Sequence, residues 1–329
     1  MKQLLTILLT FIISSSKLFS QTLDNVKLDN KQSILNNRAF LNFPTNAKNE
    51  KRGVDIMSAD PNENEETRIV FDSGEMRLVF FAQELYAFAD NDLFKTISKQ
   101  GEKTQSKIKI LTDKDSLLSI LSTPAKFDST KNIILLNSLV VKTQDNTLIK
   151  ISAYINPSAY SMKDQYLTLA ENVFNTLTKG TRKNDRSARQ EKREIYGTKK
   201  SLTFNLPTDY CVTVDQQYDF QVFKFHRYHT LTDTTWIQII IYNGHHPSMV
   251  YRDYGLSENN GQKTKGHFLD KNIDWLFFDI NQQGFYDKEQ KVTCDNVEKG
   301  LIFHIAILSN KKELIDDLTK IVETIKLTN

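Results

Sequence analysis

The chain has 329 residues, with 43 basic and 40 acidic side chains, six histidines and two cysteines. Beyond residue 20, the positive excess is confined to residues 179–194, which carry a net charge of +4, whereas residues 21–178 and 195–329 carry −1 and −2. Nucleic-acid-binding domains normally cluster lysine and arginine over one face, so this distribution disfavours that class of protein.

The first twenty residues have the order of a secretory signal peptide. Lys2 precedes an apolar run over residues 4–13, and small and polar residues follow it as far as Ser20. The run is shorter than the roughly 20 residues that cross a bilayer, and no later stretch is long and apolar enough. We therefore expect residues 1–20 to be cleaved and the mature chain to be exported, periplasmic or secreted, without a transmembrane segment. An uncleaved membrane anchor is the alternative.

The next stretch, residues 21–37, is polar and is predicted to be a flexible N-terminal segment. Residues 38–178 are predicted to form a first domain. Its predicted elements, in order, are strands at residues 68–71 and 77–81, a short helix at 115–121, strands at 132–142 and 148–155, and a helix that ends near residue 177. One face of that last helix, at offsets of 0, 4, 7 and 11, is formed by Tyr166, Ala170, Val173 and Leu177.

Residues 179–194 are predicted to be a basic linker. A charged segment between domains is commonly a solvated spacer. The alternative is an electrostatic contact with an acidic surface or with anionic lipid.

Residues 195–329 are predicted to form a second domain that repeats the first. The segment Asn205-Leu206-Pro207-Thr208 near its start matches Asn42-Phe43-Pro44-Thr45 near the start of the first. The predicted strands are at residues 220–228, 236–242, 275–280 and 301–308. The final helix repeats the offsets of 0, 4, 7 and 11 with Leu314, Leu318, Ile321 and Ile325.

These paired signatures predict an α+β fold of two tandem domains. Each domain is expected to be an antiparallel sheet with a closing C-terminal helix packed on it, as in an α-β-α sandwich. Residues 204–210 with residues 300–327, and residues 40–45 with residues 148–177, resemble the PsbP-like family, which includes DcrB-type bacterial proteins. The resemblance implies a non-catalytic accessory or binding role at membranes.

The only cysteines, Cys211 and Cys294, lie in the second domain. An exported compartment permits a disulfide between them. Two buried, unreactive thiols are the alternative, because the sequence does not fix the geometry that a bridge requires.

All six histidines also lie in the second half, at positions 226, 229, 245, 246, 267 and 304. Neighbouring members of this set are predicted to point apart, because side chains alternate along a strand. No His-Glu-x-x-His or Cys-x-x-Cys spacing occurs. We therefore expect no metal site and no cofactor, and keep a metal-binding second domain as the alternative function.

A Gly-punctuated connection rich in Tyr, His and Arg follows the strand at residues 236–242. Such side chains suit a recognition surface, and a short helix packed on the sheet is the alternative. The candidate binding residues are Tyr242, His245, His246, Tyr251, Arg252, Tyr254 and His267.

Motifs for nucleophilic catalysis and for phosphate binding are missing from the sequence. We therefore predict a non-catalytic binding or accessory protein of the cell envelope, whose partner is an envelope protein or a small ligand. An enzyme with a site built from scattered residues stays open.

Overall fold

The computed structural model describes residues 23, 26–50, 66–73, 76–114, 117–216 and 219–329. The predicted signal peptide lies outside the described residues. Strands account for 50% of the described residues and helices for 19%. Within the described ranges, no helix combines the length and the apolar character needed to cross a bilayer.

The described residues of the first half form ten strands and two α-helices. In chain order they are β1 (Asn30–Ile34), β2 (Ala39–Phe43), β3 (Lys48–Asn49), β4 (Glu66–Ser73), β5 (Met76–Phe88), α1 (Leu93–Lys103), β6 (Ser106–Lys114), β7 (Leu117–Pro124), β8 (Ile134–Lys142), β9 (Thr147–Ile155), α2 (Lys163–Asn175) and β10 (Thr178–Lys179).

In the second half, the part that the structure describes forms eleven strands and two α-helices. They are β11 (Arg189–Glu194), β12 (Ser201–Leu206), β13 (Tyr210–Gln216), β14 (Phe220–Arg227), β15 (His229–Thr230), β16 (Ile237–Gly244), α3 (Val250–Asp253), β17 (Gln262–Phe268), β18 (Lys271–Ile280), β19 (Phe285–Thr293), β20 (Ile302–Ser309), α4 (Lys312–Glu323) and β21 (Lys326–Thr328).

The two halves have the same strand order. The large sheets run β3-β4-β5-β9-β8-β7-β6 and β13-β14-β16-β20-β19-β18-β17. Counted within each half, both orders are 1-2-3-7-6-5-4. Each half also has a small sheet in which a hairpin is joined by the last short strand, β1-β2-β10 and β11-β12-β21. A duplication of one unit would produce this shared strand order. The limits of the two domains, residues 38–178 and 195–329, stay predictions.

Each half has its own apolar core. The first is centred on Phe43, Phe80 and Phe174, whose rings meet edge to face at centroid distances of 5.1 and 5.8 Å. The second places Phe204 against Phe223 and Phe225 at 5.5 and 5.4 Å. In both, the small sheet and the last helix cover one face of the large sheet. Aromatic contacts of this kind add to the stabilisation from burial alone.

The predicted fold class is wrong. Among the described residues, those in strands outnumber those in helices by more than two to one. These residues form four sheets and only four short α-helices, so the fold is not an α-β-α sandwich with closing helices. The individual strands predicted at residues 148–155 and 301–308 are confirmed as β9 and β20.

Three local predictions are also corrected. Of residues 115–121, predicted to be helical, the described residues 117–121 belong to β7, because pairing with β6 and β8 outweighs the local helix preference of its leucines. The segment predicted to be flexible contains β1, which pairs with β2. The predicted linker contains all of β11, which pairs with β12.

Candidate functional site

A cleft with a volume of about 350 Å³ lies where the two halves meet. Its walls come from both halves and from the segment that joins them. The lining includes Leu35, Arg38, Glu84 and Tyr86 from the first half, Arg182, Lys183 and Asn184 from the joining segment, and Cys211, Thr213 and Tyr228 from the second half. Pockets at such boundaries are frequent ligand sites.

Direct contacts hold the two halves together beside the cleft. Strand β15 pairs in parallel with the end of β5, which places His229 opposite Ala87. The ring of Tyr86 stacks on the ring of His226 with a centroid distance of 3.9 Å. These contacts fix the position of the second half relative to strand β5.

Arg38 forms a buried ionic network in the floor of the cleft. Its guanidinium group lies 2.9 Å from Asp145 Oδ1 and 3.3 Å from Glu84 Oε2, and it donates to the hydroxyls of Thr143 and Thr147. The exposed fractions of the Arg38, Glu84 and Asp145 side chains are 1%, 9% and 6%. Buried charges are tolerated only when they are paired and hydrogen-bonded in this way.

Asn184 connects this network to the second half. Its backbone N–H donates to Asp145 Oδ2 at 2.8 Å. Its side-chain amide donates to Glu84 Oε2 at 3.3 Å and to the hydroxyl oxygen of Tyr228 at 2.6 Å. One residue of the joining segment therefore links the two carboxylates of the first half to a tyrosine of the second.

The same environment shifts the proton affinities of these groups. Burial raises the pKa of Glu84, and the opposing attraction of Arg38 is smaller. Burial acts in the same direction on Asp145, but the Asn184 N–H and Arg38 outweigh it and lower the pKa of Asp145 to about 2. Burial also raises the pKa of Tyr228. Asp145 is therefore ionised and Tyr228 neutral near pH 7, and the paired carboxyls differ in acidity.

The backbone around the cleft is strained. Leu35, Asn36 and Asn37 have consecutive φ values of 48°, 50° and 69°, and Tyr86 has a φ of 49°. Tyr86 lies in a β-bulge, because the pairing of β5 with β9 changes register between Glu84 and Phe88. Left-handed backbone is costly for residues other than glycine, and bulges often redirect side chains near functional sites.

Gly180 allows the joining segment to approach this strained turn. A Cβ atom there would lie 2.2 Å from the carbonyl carbon and oxygen of Arg38 and from the carbonyl oxygen of Asn37. The N–H groups of Thr181 and Arg182 donate to the same Asn37 oxygen at 3.0 and 3.1 Å. Only glycine permits this contact, so the joining segment is held in place where it enters the cleft.

The sequence-predicted binding residues lie away from the cleft, over the other face of the second large sheet. Tyr251 is buried and its ring lies 4.5 Å from that of Phe278, whereas Tyr254 is 44% exposed and contacts Phe285. The His246 N–H donates to the Tyr242 hydroxyl at 3.4 Å. Residues 250–253 form α3, as in the alternative considered above of a short helix packed on the sheet.

The remaining predicted residues are spread over different parts of the second half. His245 is exposed and lies 3.3 Å from the Gly300 carbonyl oxygen. His267 lies 3.8 Å from Glu323 at the edge strand β17. The Arg252 guanidinium lies 5.9 Å from the ring of Tyr251. The structure therefore joins Tyr242 to His246 and Tyr251 to Arg252, and it leaves His267 apart at another edge of the sheet.

A buried acidic group holds the segment at residues 249–254 on the sheet. Glu289 accepts hydrogen bonds from the N–H groups of Val250 and Tyr251 at 3.0 and 2.9 Å, and it lies 2.7 Å from His304 Nε2. These bonds and His304 outweigh the burial of Glu289 and lower its pKa. Asp287, two residues earlier on the same face, is fully buried. This group fixes the loop and is closed to solvent.

Cys211 and Cys294 are not bridged. They lie on β13 and just beyond β19, four strand positions apart in the sheet, which corresponds to about 19 Å. A disulfide requires Cα atoms within about 7 Å. The strand order therefore separates the two thiols by more than the possible disulfide allows.

The histidines are also dispersed. His226 stacks on Tyr86, His304 is bound to Glu289, and His229 is on β15. Among the described residues, no group of three or more His, Cys, Asp or Glu side chains is placed to hold a metal ion.

Comparison with protein-family models, with curated proteins and with solved structures finds no match to this chain. The resemblance to the PsbP-like family therefore stays a prediction.

Sequence reasoning did not identify the cleft. The charge excess of residues 179–194 was the one sequence signal that pointed to it. Arg38 contacts Glu84 and Asp145, which are 46 and 107 positions away, so no local spacing reveals the network.

Proposed function

We propose that the chain is an exported, non-catalytic binding protein of the cell envelope that holds a small ligand in the cleft between its two halves. The observation that carries this proposal is the coincidence of the cleft with strained backbone and a buried ionic network. Strain and buried charge are costly, and they commonly persist where a site must be preorganised. The order of residues 1–20 supports export.

The cleft has the size and composition of a small-molecule site. Its volume of about 350 Å³ is near the lower end of the usual range for ligand pockets, about 300–1,000 Å³. Tyr86 and Tyr228 supply aromatic surface, and Thr213 and Asn184 supply polar groups. The Thr213 hydroxyl lies 2.9 Å from His226 Nε2, and no sequence motif for nucleophilic catalysis surrounds it, which favours binding over turnover.

Cys211 offers a direct test, because its thiol lines the cleft and is partly exposed. Protein purified under native conditions from its own envelope extract is examined by native mass spectrometry before and after treatment with N-ethylmaleimide. We expect a bound small molecule that is lost when Cys211 is alkylated. In the matched control, Cys211→Ser treated with the same reagent keeps the ligand.

Two outcomes would contradict the proposal. One is a protein that carries no small molecule from any envelope fraction. The other is a ligand that stays bound at the same level after Cys211 has been fully alkylated, since that ligand would lie elsewhere. Export is tested separately by fractionating cells and locating the untagged chain. Retention of the chain in the cytoplasm would contradict the proposed export.

A further inference from the structure

Five basic and three acidic residues line the cleft, and the acidic ones are already engaged. Glu84 is held by Arg38. Glu191 is held by both Arg189 and Arg193. Asp185 accepts hydrogen bonds from the N–H and the hydroxyl of Ser187 at 3.0 and 2.6 Å. Two of the three carboxylates are therefore neutralised by arginines, which leaves the cleft with an excess of positive charge.

Two cations of the cleft are not engaged in this way. Within the described part of the chain, no acidic group lies within ion-pairing distance of the side chains of Arg182 or Lys183. Arg182 is half-buried and Lys183 is exposed. Their backbone is nevertheless fixed, because the Arg182 N–H donates to Asn37 and the neighbouring Asn184 N–H donates to Asp145. Both charges are thus held at the cleft without a protein counter-ion.

We infer that the cleft binds a small anion that carries a carboxylate or phosphate group, with Arg182 and Lys183 as its counter-ions. This inference rests on the proposed function and names its ligand class. The planar guanidinium of arginine matches the oxygens of carboxylate and phosphate, and a lysine ammonium adds a second point charge. The cavity volume limits the ligand to a small molecule rather than a polymer.

The two halves contribute different parts of this site. The joining segment supplies the charge, whereas Tyr86 and Tyr228 supply aromatic surface from the first and second halves. The hydrogen bond from Asn184 to Tyr228 sets the distance between the joining segment and the aromatic surface of the second half. An anion with a short apolar or cyclic body would contact both kinds of surface.

The test measures binding by isothermal titration calorimetry with three probes: inorganic phosphate, succinate and glycerol. The first two distinguish phosphate from carboxylate, and glycerol is the uncharged control. The variant is Arg182→Gln combined with Lys183→Gln. The matched control is Lys95→Gln with Lys99→Gln, which removes the same charge from exposed positions on α1 outside the cleft.

We expect phosphate or succinate to bind the native chain, and glycerol not to bind. The cleft variant should weaken anion binding about tenfold or more, because two charge-assisted contacts are lost, whereas the control should keep it. Raising the salt concentration should weaken binding in the native chain as well.

The failures are distinguishable. If the ligand recovered from the envelope is neutral, or if the cleft variant binds the anions as well as the native chain, the assignment of an anion is wrong while the cleft remains a binding site. If neither anion binds at millimolar concentration, the assignment is also wrong. If alkylation of Cys211 leaves anion binding unchanged, the anions bind outside the cleft and the inference is wrong, whereas the proposed function is decided separately by the native ligand in the mass-spectrometry test.

Discussion

Asp287 gives the sharpest prediction about stability. Its carboxyl group is fully buried on β19, next to Phe278 and Leu308 in the neighbouring strands. Burial and the adjacent Glu289 raise the pKa of Asp287 to about 10. Neither of its oxygens accepts a hydrogen bond from a donor in the described ranges, and its protonated form can donate to Glu289. We expect Asp287→Asn to stabilise the protein near neutral pH.

The magnitude follows from the proton that Asp287 must hold in the folded state. An unfolded aspartate loses its proton above about pH 3.9, so keeping it at pH 7 costs about 4 kcal/mol for any folded pKa above 7. Asparagine removes that cost but leaves an unsatisfied N–H, which costs about 1–2 kcal/mol. The expected net gain in the free energy of unfolding at pH 7 is therefore about 2–3 kcal/mol.

The sign of the pH dependence is fixed by the raised pKa. The contribution of Asp287 to stability is fully present below about pH 4 and is lost by about 1.4 kcal/mol per pH unit as the pH rises towards 10. The advantage of Asp287→Asn should therefore grow from neutral to alkaline pH and disappear in acid. Glu289 and His304, the other titratable groups beside Asp287, are unchanged in the Asp287→Asn variant.

Urea unfolding followed by tryptophan fluorescence measures this directly, because Trp275 is fully buried. The matched control is Asp270→Asn, an exposed acid whose φ of 61° asparagine also adopts readily. An Asp287→Asn variant no more stable than the native chain at alkaline pH would refute the reasoning. Asp287 would then be ionised in the folded state.

Three further predictions concern the buried network, a glycine contact and the thiols. Arg38→Met should lower the free energy of unfolding by about 3–5 kcal/mol in the same urea assay, because Glu84 and Asp145 lose their cation. Adding Glu84→Gln and Asp145→Asn should restore part of that stability. An unchanged unfolding midpoint in Arg38→Met would contradict this prediction. Gly266→Ala should lower the free energy of unfolding by about 1–3 kcal/mol in thermal unfolding, because the new Cβ would lie 2.3 Å from Glu323 Oε1 and Trp275 Nε1. An unchanged unfolding temperature would contradict this prediction and mean that α4 shifts freely. Thiol titration without reductant should find two free thiols in the denatured chain. In the native chain, Cys211 should react faster than the buried Cys294. A denatured chain without free thiols would instead establish a disulfide.

The sequence predicts best those elements that carry a strong pattern over many residues. The strand at residues 148–155 and the strand at 301–308 are long apolar runs, and the structure places both at the centre of a large sheet. Helix α1 was missed, because its apolar positions, such as Leu93 and Ile97, are few and separated by polar residues. The leucines of β7 favour a helix locally, and only pairing with distant strands makes them extended.

The candidate site was harder to predict for the same physical reason. The residues at 242–254 are consecutive and conspicuous in composition, yet Glu289 holds them onto the sheet and Tyr251 is core. The cleft instead depends on contacts between Arg38, Asp145 and Asn184, which the fold alone brings together. Left-handed backbone at Leu35 and Tyr86 leaves no compositional signal either.

The shared strand order provides an internal comparison for the Arg38 network. Alignment of Asn42–Thr45 with Asn205–Thr208 places Ser201 of β12 at the position that corresponds to Arg38 before β2. Ser201 is buried without a charge and pairs with Thr328 of β21, so this architecture forms in the second half without the network. A buried ion pair gives little net stability compared with apolar residues of similar size. The network is therefore not a requirement of the fold, and its position at the meeting point of the two halves indicates that it serves their alignment and the cleft between them.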